Sequence, residues 1–171
     1  MQVPLACGAP VTLASGQNNP LTIAVDGTSL YWTDLDNGLA GTVMRVGLDG
    51  GGLATLATGQ YVPLSLAVDA NNVYWADYGG GTIMSVPLAG GSPVTLASAG
   101  SPVGIAVSSD SVYWTDFSTG TVNKVAIDGG IPITLASGQS SPEAIAVDAT
   151  SVYWKNVDQN DAGMLMKVTP R

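Results

Sequence analysis

Tyr31-Trp32-Thr33-Asp34 recurs as Tyr74-Trp75-Ala76-Asp77, Tyr113-Trp114-Thr115-Asp116 and Tyr153-Trp154-Lys155-Asn156, at intervals of 43, 39 and 40 residues. The flanking sequence repeats with it. Upstream lie Ile23-Ala24-Val25-Asp26, Leu66-Ala67-Val68-Asp69, Ile105-Ala106-Val107-Ser108 and Ile145-Ala146-Val147-Asp148. Downstream come Gly41-Thr42-Val43-Met44, Gly81-Thr82-Ile83-Met84, Gly120-Thr121-Val122-Asn123 and Gly163-Met164-Leu165-Met166. A fourth element, Thr-Leu-Ala, begins at Thr12, Thr55, Thr95 and Thr134. Four short runs of branched and aromatic residues per unit of about 40 residues are the pattern of a four-stranded propeller blade.

The 22 glycines and ten prolines leave no window with an uninterrupted helical spacing of apolar residues, so the chain reads as all-β. In each unit the strands are A (Ile-Ala-Val), B (Tyr-Trp), C (Thr-Val-Met) and D (Val-Thr-Leu-Ala), joined by turns such as Asp26-Gly27 and Gly50-Gly51. Alanine in strand A suits the crowded strand nearest a propeller axis, and one tryptophan per unit fills the wedge between blades. The expected domain is a single repeat array over 1–171. Its units run over about 17–58, 59–98, 99–137 and 138–171, and a strand within 1–16 closes the last blade.

Of the 171 residues 46% are apolar and 11% charged, with 13 acidic against 5 basic side chains and no histidine. A formal charge of −8 offers no electropositive surface to nucleic acid or an anionic membrane, and no apolar run approaches a membrane span. One cysteine excludes an internal disulfide and a cysteine-based metal cluster, and the missing histidine removes the commonest general base. The chain is expected to be no enzyme and to need no cofactor or metal. Met1 is followed directly by strand-like sequence, without the basic start and apolar stretch of a signal peptide. A whole number of repeats opening in mid-repeat points to an excised or engineered array as one reading of its origin.

Ala-Val-Asp, Tyr-Trp-Thr-Asp and Val43-Met44-Arg45-Val46-Gly47-Leu48-Asp49-Gly50 resemble the YWTD repeats of low-density-lipoprotein receptor class B propellers and their bacterial relatives, over essentially the whole chain. The resemblance implies a propeller of six such blades, extracellular or periplasmic placement, and binding or scaffolding rather than catalysis. This sequence departs from the motif at Lys155-Asn156 and carries four copies only.

The recurring Asp34, Asp77 and Asp116 are expected to accept hydrogen bonds from nearby backbone N–H groups, with Trp32, Trp75, Trp114 and Trp154 as the structural anchors of the motif. Calcium is the rival reading of the oxygen-rich stretches Asp34-Leu35-Asp36-Asn37 and Asp158-Gln159-Asn160-Asp161, although neither has the EF-hand spacing. Cys7 stands where other copies carry a turn glycine and reads as a tolerated loop substitution.

The units differ most where D leads to A and B leads to C, two connections that emerge at one end of the ring. Gln17, Asn18, Asn19, Asp36, Asn37, Gln60, Tyr61, Tyr78, Phe117, Gln139, Asp158 and Asn160 lie there and form the candidate ligand-binding face. Protein and carbohydrate are the ligand classes its aromatics suit, the second making the chain lectin-like. A lactonase- or lyase-type enzyme ranks last, for want of histidine. The N-terminal D strand lacks a blade and the last blade lacks a D strand. Their pairing closes either a four-bladed monomer or, as the favoured reading, a homodimer with an eight-bladed ring.

Overall fold

The computed structural model describes residues 9–36, 40–157 and 163–170. Among these residues it is a β-propeller array of fifteen antiparallel strands. The first blade is β1 (Pro20–Val25), β2 (Ser29–Asp34), β3 (Gly41–Gly47) and β4 (Ala54–Gln60); the second is β5 (Pro63–Val68), β6 (Asn72–Asp77), β7 (Thr82–Pro87) and β8 (Val94–Ser98). The third is β9 (Pro102–Val107), β10 (Ser111–Asp116), β11 (Thr121–Ala126) and β12 (Ile133–Ala136). The fourth has three strands, β13 (Pro142–Val147), β14 (Val152–Val157) and β15 (Gly163–Val168). Each is a meander in sequence order, and glycines at positive φ (Gly50 84°, Gly90 88°, Gly129 89°) turn the chain between the third and fourth strands of the complete blades.

The Tyr-Trp dipeptide explains how blades stack. Neighbouring residues of a strand point to opposite faces, so each blade presents tyrosine forward and tryptophan backward. Tyr31, Val43, Leu56 and Ala57 of the first blade meet Leu66, Val73, Trp75 and Val86 of the second. Tyr74, Ala76, Ile83 and Ala97 then meet Ile105, Val112, Trp114 and Val125, and Tyr113 and Val122 meet Val152 and Trp154. In-register pairing sets each tryptophan between an aliphatic residue and a C-strand residue: Leu66, Trp75 and Met84 form one such row. The innermost strands β1, β5, β9 and β13 lie flank to flank in that order.

The ring is open in the isolated chain: among the described residues no comparable flank joins β13 to β1. Ile23 is 69% exposed, whereas its counterparts Leu66 and Ile105 are buried. Leu165 is 90% exposed, whereas Val43, Ile83 and Val122 at the same place are fully buried. Each is one half of an interblade layer whose other half is missing among the described residues. Residues 9–19 form no strand, so the pairing expected between the N-terminal D strand and the last blade is not made within the chain. Residues 11–14 instead lie beside Pro20, Ile23, Leu30 and Trp32 of the first blade.

Candidate functional site

The D-to-A and B-to-C connections are tied together at one end of every blade. Leu35 and Asp36 donate backbone N–H groups to the carbonyls of Asn19 and Asn18. Tyr78 and Gly79 do so to Val62 and Tyr61, Phe117 to Ser101, and Val157 to Ser140 and Ser141. Asn19, Val62 and Ser141, each immediately before a proline, hold φ of 60°, 62° and 44°. A β-branched residue in the left-handed region is strained, so the Val62 turn is held by its surroundings.

On this end Tyr61 and Phe117 are each 45% exposed and Tyr78 is 36% exposed. A Cβ on Gly79 would fall 2.0 Å from the Tyr61 ring, so the ring lies directly on the Gly79 backbone. The two tyrosines thus stand on adjoining, hydrogen-bonded loops of one blade. Asn18 donates from its side-chain amide to the Asp36 carboxylate, and both are surface residues. Asn37, Asp158 and Asn160, like Cys7, lie outside the described residues.

The glutamines expected on the ligand face have another role. Gln17, Gln60 and Gln139 accept the indole N–H of Trp32, Trp75 and Trp154 at 3.1, 2.9 and 3.0 Å. Their NH₂ groups donate to the carbonyls of Ser15, Thr58 and Ser137, two residues back. The oxygen and one N–H of each amide are thus engaged within the chain. A buried indole N–H needs an acceptor, and this loop supplies it. Sequence reasoning passed over the signal, a constant Gln-to-Trp separation of 15 residues.

A second repeated device was also missed, at the opposite end. Asp26, Asp69 and Asp148 accept from the hydroxyls of Tyr31, Tyr74 and Tyr153 at 2.9, 2.9 and 2.8 Å while bracing the A-to-B turn. Backbone donors, those of Thr28 and Thr150 foremost, hold the Asp26 and Asp148 carboxyls down to about 2.

The motif aspartates divide. Asp116 accepts backbone N–H groups from Gly100, Ser101 and Thr119 at 2.6, 3.2 and 3.1 Å. Burial pushes its pKa up, but these donors outweigh burial and hold it below the usual value. Asp34 and Asp77 each keep a buried carboxylate oxygen without a partner among the described residues, and burial raises both, Asp77 to about 6. Because the folded value of Asp77 lies above the unfolded one, folded chains hold the proton more tightly. The stability from neutral Asp77 is complete below about pH 4 and is lost as pH rises through about 6. The urea midpoint is therefore expected to fall between pH 4.5 and 7.5, and Asp77→Asn to flatten that fall. An equal fall in both chains would show that Asp77 is not its source. Asn156 already occupies this position in the fourth blade.

No family model and no curated protein matches the chain. Among solved structures it is similar to a chain in the crystal structure of the nidogen/laminin complex, at 24% identity and TM-score 0.68 over 83% of this chain and 57% of that one. It is similar to the computationally designed Ika4 protein at 17% identity and TM-score 0.74, over 92% and 96% of the two chains. A third is selenomethionine-substituted virginiamycin B lyase from Staphylococcus aureus, at 14% identity and TM-score 0.68 over 94% and 58%. The chain thus spans a little over half of the nidogen-complex and lyase chains. These likenesses establish the propeller fold. Among the described residues no helix is long and apolar enough to cross a membrane.

Proposed function

We propose that the chain is a noncatalytic binding and scaffolding propeller that engages a protein ligand through the D-to-A and B-to-C loop end. The observation that carries this is the pair of half-exposed tyrosines, Tyr61 seated on Gly79 and Tyr78 beside it, with Phe117 on the next blade. Aromatics fixed by a rigid scaffold lose little entropy on binding and bury large apolar area, which is why they dominate protein interfaces. The YWTD-like motifs and the nidogen-complex neighbour favour the same reading and an extracellular setting. Serine at Tyr61, Tyr78 and Phe117 together is expected to erase binding to an immobilised panel of extracellular-matrix proteins while leaving the melting curve in place. A ligand mapped only to the opposite turns would overturn the assignment. The lectin-like alternative is separated by a glycan array, on which this reading expects no signal dependent on the three aromatics.

The scaffold also needs its missing layer. In complete blades Thr55 and Thr95 stand opposite Met44 and Met84 and donate to their sulfur atoms at 3.2 Å, and Thr134 stands opposite Asn123. The same register sets Thr12 opposite Met166 and Leu13 in the layer where Leu56 and Leu96 are buried. We infer that the β15 they complete belongs to a second copy, two copies exchanging strands to form an eight-bladed ring, with closure of a four-bladed monomer as the alternative. Pairing would cover β15, otherwise an open apolar edge.

A further inference from the structure

The third blade departs from its siblings at two positions that line one cavity. Residue 99 holds the place of the capping glutamine: Ala99 N–H donates to Gly81 as Gln139 N–H does to Gly120, at 2.8 and 2.9 Å, and it lies the same 15 residues before its tryptophan. Alanine has no amide to offer. The Trp114 indole N–H is consequently buried without a partner among the described residues, in a side chain only 2% exposed. Beside it opens a cavity of about 360 Å³ lined by Ser98, Ala99, Trp114, Thr121, Asn123 and Thr134.

The wall has changed with the plug. Asn123 replaces the methionine of the other blades, and its amide donates to Thr121 Oγ1 and accepts from Thr134 Oγ1, both at 2.8 Å. The cavity therefore lies beside an orphaned, covered donor, and apart from Asp116 its lining is uncharged. The Asp116 carboxylate at its margin, held ionised by its backbone donors, disfavours anions.

We propose that this cavity is a binding site for a primary carboxamide supplied from outside the chain. The three sibling blades display the bound state. A carboxamide oxygen accepts the indole N–H while the NH₂ donates to the carbonyl of the residue that follows Thr-Leu-Ala, Thr58 or Ser137, a place that Ser98 takes in a loop one residue shorter. Leaving a buried donor unmade is costly, so an incoming amide gains what Gln60 and Gln139 gain within their own chain. The site does not rest on the aromatic loop reading and stands if that reading fails.

Nuclear magnetic resonance of the four indole N–H groups tests it in the intact chain. Propionamide, a glutamine side chain without its backbone, is expected to move the Trp114 resonance saturably and leave the other three in place. Propionate is expected to move none. In Ala99→Gln the Trp114 resonance should already stand at its bound position and ignore propionamide. A larger response to N-acetylglutamine methylamide than to propionamide assigns the site to a protein side chain, and a smaller one to a free small amide. A Trp114 resonance indifferent to both amides, or one that responds equally in Ala99→Gln, overturns the proposal.

Discussion

Trp75→Ala is expected to lower the unfolding free energy by about 3–5 kcal/mol, the range for a buried aromatic cut to alanine. Trp75 is fully buried in the layer between the first two blades, between Leu66 and Met84, so the void has walls from two sheets and cannot collapse without moving a blade. The substitution also strands the Gln60 amide oxygen, whose donor is the indole N–H at 2.9 Å. Gln60→Ala isolates that second part and should cost only about 1–3 kcal/mol, the penalty of one unmade buried hydrogen bond. Urea melts decide the point, and a Trp75→Ala loss under about 1 kcal/mol would mean that the tryptophan is not what spaces the blades.

Removing residues 1–16 is expected to have the other large effect, a collapse in the yield of soluble protein. The deletion takes away Leu13, the partner for the layer holding Ile23, and the Thr12 segment that matches the open edge of β15. It leaves Leu165, already 90% exposed, and the adjoining Met164 with nothing in the array to cover them. An unpaired, apolar edge strand recruits other chains indiscriminately. Soluble truncated protein of undiminished yield and melting temperature would show that the segment closes nothing.

The blades were legible because the repeat states its physics four times: a period near 40, alternation within each run, and a turn glycine at one place in each of three units. The grouping of Tyr61 with Tyr78 was legible too, since a meander obliges the D-to-A and B-to-C connections to share an end. What escaped was the inward use of polar residues. Gln17, Gln60 and Gln139 looked like loop amides because their neighbours Asn18, Tyr61 and Ser140 vary, and variation in a loop suggests recognition. Their constancy reflected the constancy of the tryptophan donor instead. The Asp26–Tyr31 latch escaped in the same way: the aspartate was read as turn chemistry, although the Asp-to-Tyr separation of five residues recurs in three units. The motif aspartates were legible in kind, since backbone donors act on all three, but only at Asp116 do they outweigh burial, a balance no motif records.

Exchange of the N-terminal strand between two copies is tested most directly by a disulfide between positions 12 and 166. With Thr12→Cys and Met166→Cys in a Cys7→Ser chain, the pair falls where Thr55 and Met44 face each other across adjacent strands, within reach of a disulfide. The exchanged ring predicts quantitative oxidation and a non-reducing mass twice the 17.3 kDa of one chain, returning to one chain on reduction. Free thiols, or a disulfide formed within a chain of single mass, would contradict it.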